Sequence, residues 1–384
     1  MSKLEECILG DLVEFQRGYD LPKSKFVEGK YPVQSSNGIL GYHNEYKVEG
    51  PGITIGRSGT VGNPHLIREN FFPHNTSLFV KEFKGNDIEY IYYLLQYLDL
   101  GNQKSGSGVP TMNRNHLHPI KIRAYRDKTC QQRTIKILSL IDKKIQTNNQ
   151  INQELEAMAK TLYDYWFVQF DFPNQKGKPY KSSGGKMVYD PELKREIPEG
   201  WGVEKLGDIA NITMGQSPKG ISYNEVGEGM LFFQGSTDFG WRFPVARQYT
   251  TEPSRIAEED DILLSVRAPV GTLNIADTRC CIGRGLAAIN SKVGVNSYIF
   301  NVMQDFKKLF DMRNSVGTTF GSITKDDLYS LQLVYPPNEL LMKFDQSVKS
   351  FDREIKNRSR QNQGLTQLRD WLLPMLMNGQ VKVK

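Results

Sequence analysis

Apolar residues along this chain change their spacing twice, and the whole series of changes then repeats. From residue 4 to about 125, short β-prone runs alternate with Gly, Pro and Asn, as in Gly52-Ile53-Thr54-Ile55-Gly56 and Ser77-Leu78-Phe79-Val80. That pattern predicts short strands joined by tight turns. One helical patch interrupts them over Ile88–Leu98, where Ile91, Leu94, Leu95 and Leu98 share a face. From about Gln131 the spacing alternates three and four, through Leu138, Ile141, Ile145, Asn148, Asn152, Leu155, Ala159, Leu162 and Trp166. This a/d heptad seam predicts a helix of about 35 residues, roughly 50 Å long.

After Phe172 the periodicity stops. Pro173-Asn174-Gln175-Lys176-Gly177-Lys178-Pro179 and Lys181-Ser182-Ser183-Gly184-Gly185-Lys186 form a polar connector that ends at Ile197-Pro198-Glu199-Gly200-Trp201. Strand-like runs then return, such as Asp261-Ile262-Leu263-Leu264-Ser265-Val266 and Leu331-Gln332-Leu333-Val334, up to the stop at Pro336-Pro337. A second heptad seam follows through Phe344, Val348, Phe351, Ile355, Arg358, Asn362, Leu365, Arg369 and Leu372, and is expected to end near Pro374.

Residues match across the two halves as well as patterns. Leu9-Gly10-Asp11-Leu12 returns as Leu206-Gly207-Asp208-Ile209, and Ile141, Asp142 and Ile145 return as Phe351, Asp352 and Ile355. An offset of about 200 residues is too long for a solenoid repeat and fits a domain with its connector. The same alignment sets Asn152 on Asn362, Leu155 on Leu365 and Leu162 on Leu372. An asparagine at one a position fixes helix register at some cost in stability. Its recurrence predicts that the two helices pack on each other, antiparallel; the alternative is that each covers its own sheet. The expected fold is therefore α+β: two similar domains joined by two long antiparallel coiled-coil helices with pseudo-twofold symmetry. The expected bounds are 1–130 and 201–337 for the domains, 131–172 and 338–384 for the helices, and 173–200 for the linker.

At 384 residues, with 39% hydrophobic and 11% aromatic content, the chain is long enough for two folded domains and is not of disordered composition. A net charge of +6 is compatible with a nucleic-acid partner without specifying one. Cys7, Cys130, Cys280 and Cys281 have neither CxxC nor Cys/His spacing, which argues against zinc or a disulfide framework and fits a reducing cytoplasm. Met1 to Cys7 is charged where a signal peptide would be apolar, and no run of 18 apolar residues occurs, so no membrane association is expected.

Catalytic signatures are missing. Gly184-Gly185-Lys186 lacks the upstream glycine and following hydroxyl of a phosphate loop, and Gly106-Ser107-Gly108 lacks the third glycine of a dinucleotide site. His43, His65, His74, His116 and His118 form no HExxH or two-His-one-carboxylate pattern. Glu192-Leu193-Lys194 has no upstream Pro-Asp strand, and Tyr335-Pro336-Pro337 is a domain exit rather than a methyltransferase tetrad. Neither active centre nor metal ligand set is expected.

Two loops recur instead. Gly56-Arg57-Ser58-Gly59-Thr60-Val61-Gly62-Asn63 corresponds to Ser265-Val266-Arg267-Ala268-Pro269-Val270-Gly271, with Arg57 and Arg267 read as counterparts beside a Val-Gly corner. Lys104–Asn115 corresponds to Asn314–Lys325, with Thr111 on Ser322. Guanidinium, hydroxyl and amide groups on glycine-rich loops are the groups that contact phosphates and base edges. The bland alternatives are an arginine paired with a carboxylate of its own domain, and a surface loop whose Thr111 or Thr324 caps a helix.

Taken together, the chain resembles the specificity (S) subunit of Type I restriction–modification systems over essentially its whole length. The residues that carry the resemblance are Trp166-Phe167-Val168-Gln169-Phe170-Asp171-Phe172-Pro173, Gly177-Lys178-Pro179-Tyr180-Lys181-Ser182-Ser183-Gly184-Gly185, and Ile197-Pro198-Glu199-Gly200-Trp201 before Leu206-Gly207-Asp208-Ile209. Leu365-Thr366-Gln367-Leu368-Arg369-Asp370-Trp371-Leu372-Leu373-Pro374, continuing to Gln380, adds to it.

The resemblance implies two target recognition domains, each reading half of a bipartite site on double-stranded DNA, held apart by helices that act as a ruler. It implies two modification (M) methyltransferase subunits as partners, and restriction (R) subunits in the full complex. S-adenosylmethionine, ATP and Mg2+ are then expected in those partners and no cofactor in this chain. The expected DNA contacts are Arg57, Ser58, Asn63, Lys104, Ser105, Thr111, Asn113 and Arg114 in one domain. In the other they are Arg267, Arg284, Arg313, Thr318, Thr319, Ser322 and Lys325. Helix pairing is expected through Ile141, Ile145, Asn152, Leu155 and Leu162 with Phe351, Ile355, Asn362, Leu365 and Leu372. A subunit of a related Type IIB-like system, a fused restriction–modification enzyme and a non-DNA interaction scaffold stand as rival readings.

Overall fold

The computed structural model describes residues 3–102, 111–315, 322–381 and 383, with the backbone alone for 309–315. It divides into two compact units, Met1–Thr147 with Gln361–Lys384, and Asn148–Arg360.

In unit 1 a four-stranded antiparallel sheet runs in the order Glu14–Arg17, Ser77–Glu82, Gly52–Gly56, Pro64–Ile67. A three-stranded sheet orders Gly38–His43, Tyr31–Ser35 and Phe72–Pro73, the last pair parallel. Glu5–Ile8 pairs antiparallel with Lys121–Ala124. Helix α1 (Ile88–Leu98) has the bounds predicted by its apolar face: Asp87 caps it by accepting from Tyr90 N at 3.1 Å, and Tyr90, Ile91, Tyr93, Leu94 and Leu95 are buried. The short α2 (Arg114–Leu117) follows. The first part of α3 (Lys128–Tyr163) closes the core with Ile135 and Leu138 against Leu9, Leu12, Phe15, Ile53 and Ile55. Each such side chain, fully buried, contributes about 1.5–3 kcal/mol.

Unit 2 repeats the plan. Its four-stranded sheet runs Ala210–Met214, Leu286–Ser291, Ile262–Ser265, Leu273–Ile275, again antiparallel throughout. Its five-stranded sheet contains the equivalent parallel pair, Met230–Phe233 with Cys280–Ile282, and Gly202–Lys205 pairs with Gln332–Tyr335 as the outer ribbon. The helices are α4 (Leu206–Ile209), α5 (Asn296–Ser315), α6 (Lys325–Tyr329) and the long α7 (Asn338–Met377). Duplication in the sequence is thus duplication of strand order, mixed parallel and antiparallel pairing included.

The heptad helices join these cores. A π-helical turn, Asp164–Val168, succeeds α3. By changing the helical phase it sets Trp166 and Phe167 together in the core of unit 2. There Phe167 meets Phe344 edge-on at 5.0 Å and Tyr298 at 5.0 Å. In the same unit Asn152 Nδ2 donates to Ser359 Oγ at 3.3 Å, and Arg358 Nη1 donates to Asn148 Oδ1 at 3.3 Å. Asn148, Asn152 and Ile355 are buried, Leu155 is half-buried, and Leu162 and Phe351 are half-buried against the aromatic core. In unit 1, Ile141 is buried and Ile145, Asn362, Leu365 and Leu372 are half-buried.

Helix α7 ends near Pro374 as expected, but passes through it and runs to Met377. Proline removes one N–H from the ladder, and burial of Leu376 and Met377 in the core of unit 1 holds the last turn against that loss. The glycine-rich connector is also structured and lies within unit 2. Asp171 accepts from Ser182 N at 2.7 Å, Phe172 stacks on Tyr180 at 4.6 Å, and Met187–Asp190 forms a hairpin with Arg195–Pro198.

Candidate nucleic-acid interface

The strand Gly52–Gly56 leaves its sheet into a turn that a side chain would block. Gly62 has φ 84°, its N donates to Gly56 O at 2.9 Å, and an added Cβ would lie 2.2 Å from Gly101 N. The turn delivers Arg57 and Ser58 to an edge built from three separate segments. Arg57 N and Ser58 N donate to Thr76 O at 2.8 and 3.2 Å, Met112 N donates to Arg57 O at 2.8 Å, and Ser58 bridges Thr111. Arg57 is half-buried, and its guanidinium donates to Asn75 O at 3.4 Å. Asn75 Nδ2 donates to Asp20, whose carboxylate also accepts from Arg17 at 3.2 Å.

Unit 2 builds the same edge. Val266 N donates to Gly285 O and Ile323 N to Val266 O, both at 2.9 Å, and Arg267 bridges Ser322. Gly271 N closes the turn on Ser265 O at 2.8 Å. These bonds correct the sequence alignment. Arg57 corresponds to Val266, and Arg267 corresponds to Ser58. The two arginines share a neighbourhood but not a place: Val266 points into the core at 3% exposure, whereas Arg267 is exposed.

Both recurring loops therefore meet in space in each unit, bringing together Arg57, Ser58 and Thr111, and Arg267 and Ser322. Asn63 is exposed beyond the turn, its carbonyl accepting from Gly56 N at 3.2 Å. Asn113, rather than Thr111, caps α2 by accepting from Asn115 N at 3.1 Å, which leaves Arg114 exposed on the first turn. Thr324 caps α6 in a reciprocal box with Asp327, whose carboxyl is held low by the Thr324 hydroxyl and amide. Lys325 is exposed with its ammonium 5.0 Å from the Tyr329 ring. Arg284 is exposed on the turn between Cys280–Ile282 and Leu286–Ser291. Lys104, Ser105, Thr318 and Thr319 lie outside the described residues, as does the side chain of Arg313 in α5.

The third segment of each edge, 74–76 and 283–285, escaped the loop comparison apart from Arg284. Its place depends on the parallel pairings Val33 with Phe72 and Phe232 with Cys281, which join residues far apart in sequence. No local motif marks it.

Comparison with known proteins agrees with this architecture. The family model described as the Type I restriction modification DNA specificity domain matches residues 1–157 and 198–366. The chain is 32% identical over 329 residues to the putative type I restriction enzyme MjaX specificity subunit of Methanocaldococcus jannaschii, covering 83% of this chain and 74% of that one. It is 26% identical to the MjaIX specificity subunit of the same organism, over 86% of this chain and 76% of the relative. A crystal structure of a Type I restriction–modification S subunit from M. genitalium shares the fold, with a TM-score of 0.60 at 17% identity over 98% of this chain and 96% of the other. Duplicated α+β units, two heptad helices and a family model matched once in each half converge on one assignment: the chain belongs to the specificity subunits of Type I restriction–modification systems.

Proposed function

We propose that this chain is the non-catalytic, DNA-reading subunit of its complex, and that each of its two α+β domains reads one half of a bipartite site on double-stranded DNA. The observation that carries this reading is the recurrence of one three-segment edge, lined by polar and basic side chains, in both units. Arg57, Ser58, Asn63, Lys104, Ser105, Thr111, Asn113 and Arg114 serve the first domain. Arg267, Arg284, Arg313, Thr318, Thr319, Ser322 and Lys325 serve the second. Phosphate contacts from such groups position the protein, and base-edge contacts select the sequence.

Residues 131–172 and 338–384 pair as an antiparallel coiled coil between domains 1–130 and 201–337, with 173–200 as the linker. Hydrogen bonds from Asn152 to Ser359 and from Arg358 to Asn148 support that pairing. A rod of roughly 50 Å holds two reading domains over sites a helical turn of DNA apart, about 34–36 Å. Rigid coupling of two weak domains raises affinity without new contacts. Two M subunits dock on the repeated helices and R subunits join the full enzyme. S-adenosylmethionine, ATP and Mg2+ belong to those partners. No helix among the described residues is long and apolar enough to cross a membrane, and we place the complex in the cytoplasm.

Methylation mapping in a host that expresses this chain with its M subunit tests the reading. The expected result is one bipartite motif whose spacer lengthens, with unchanged half-sites, when one helical turn is inserted at Gln153 and at Gln363. An unchanged spacer refutes the ruler, and the absence of any bipartite motif refutes the DNA-reading role.

A further inference from the structure

Equivalent turns of the two edges present opposite hydrogen-bonding chemistry. In the second domain the turn 283–285 is pinned. A Cβ on Gly283 would meet Gln234 Oε1 at 2.8 Å, and one on Gly285 would meet Gln234 O at 2.7 Å, so only glycines fit on either side of Arg284. Arg284 N donates to Ser217 Oγ at 3.3 Å, and Ser217 is itself bonded to Gln234 at 3.0 Å. Arg284 thus stands on a rigid pedestal while its exposed guanidinium has no hydrogen-bond or ion-pair partner among the described residues. Arg267, joined to this turn through Val266 N and Gly285 O, is exposed, and its guanidinium too has no partner among the described residues. At this turn the second edge presents two guanidinium donors.

The equivalent turn of the first edge presents acceptors. Asn75 occupies the place of Arg284, because Arg57 N and Val266 N bond the residue after each, Thr76 and Gly285. Asn75 Nδ2 bonds Asp20 Oδ1, which also accepts from Arg17, so Asn75 Oδ1 and the second Asp20 oxygen are acceptors without a hydrogen-bond partner among the described residues, and Arg57 is tethered to Asn75 O. Guanine shows two acceptors, N7 and O6, in the major groove, and a guanidinium meets both at once. Carboxylate and amide oxygens instead accept from the amino groups of cytosine or adenine.

We propose that Arg284 is a specificity-determining residue that reads a guanine in the half-site of the second domain, and that the first domain selects an amino-bearing base at the equivalent position through Asn75 and Asp20. A salt bridge to the protein's own carboxylate is the common fate of a surface arginine. An unpaired one on a turn fixed by two obligatory glycines has its backbone already ordered and no internal salt bridge to break, which suits it to a bidentate contact made only with DNA. The proposal rests on the DNA-reading role of the chain.

The test compares the methylation motif, and the DNA affinity of the M–S complex, for the wild type, R284A, R284K and N75A. With R284A and R284K, discrimination for one guanine of one half-site should fall roughly tenfold or more, while the other half-site and the spacer stay unchanged. Lysine keeps the charge but cannot make the planar two-point contact, so R284K separates base reading from phosphate binding. N75A should relax only the half-site that R284K leaves intact. Retained guanine preference in R284K, or uniform weakening at every sequence with a lower salt slope, overturns the proposal while leaving the DNA-reading role in place. A wild-type complex without a bipartite motif fails at the earlier step. Arg284 is exposed, so thermal unfolding of both variants should match the wild type, which keeps loss of fold from imitating loss of specificity.

Discussion

Asp142 and Asp352 hold the same place in the two copies of the long helix, yet each meets a different partner from its own domain. In unit 1, Tyr93 OH donates to Asp142 Oδ2 at 2.6 Å, and Arg369 of α7 pairs with the other oxygen at 2.9 Å. In unit 2, Arg242, only 6% exposed, spans Asp352 at 2.5 Å and Glu156 at 3.0 Å, over the Phe300 ring at 4.5 Å. Lys356 adds contacts to Glu259 and Asp260 at 2.7 and 2.5 Å. One domain is attached through a hydroxyl, the other through a buried cation shared by both long helices. The helix positions persisted through duplication; the chemistry reaching them from each domain did not.

Removing Arg242 should break this contrast most severely. Arg242→Ala leaves two partly buried carboxylates without their cation and should cost about 3 kcal/mol in denaturant unfolding of unit 2. Arg242→Met, which keeps packing on Phe300, should cost less. Burial pushes the Asp352 carboxyl up, with Arg242 opposing. A folded pKa above the unfolded one means that the charged form opposes folding at neutral pH, and this penalty vanishes as pH falls below the unfolded value. The stability gap between Arg242→Met and wild type should therefore narrow as pH falls through the carboxylate range. A gap that widens would exclude Asp352 as its source.

Tyr93→Phe is the matching change in unit 1 and should cost about 1–2 kcal/mol, because Asp142 keeps Arg369. Burial first, and Asp142 second, hold the Tyr93 hydroxyl well above its usual range, so it remains a donor at any ordinary pH. Smallest of all should be Lys356→Ala. Its partners Glu259 and Asp260 are more than half exposed, so a loss of about 0.5 kcal/mol is expected, fading in high salt. A Lys356→Ala cost that ignores salt would show that the lysine acts by packing instead.

The sequence was most informative where burial is periodic. The Ile88–Leu98 helix and both heptad helices follow from apolar spacing, since a helix that buries one face must place apolar residues at three and four. It was least informative where backbone atoms far apart in sequence meet. Arg57 and Arg267 looked equivalent from the shared Val-Gly, but the bonds of Thr76 and Gly285 shift them by one place. The same bonds make 74–76 part of the edge, and nothing in His74-Asn75-Thr76 itself announces that. The last turn past Pro374 has a related cause: a local helix breaker yields to the long-range burial of Leu376 and Met377.

That burial also orders events during synthesis. Unit 2 is one continuous stretch, Asn148–Arg360, whereas unit 1 needs Gln361–Lys384 to fill a core begun by its first residues. A ribosome delivers every part of unit 2 before the segment that completes unit 1. The first-made domain must therefore wait, its Leu9 and Leu138 side incompletely covered, until Leu376 and Met377 leave the exit tunnel. Completion of the N-terminal domain thus depends on the arrival of the last turn of the second long helix.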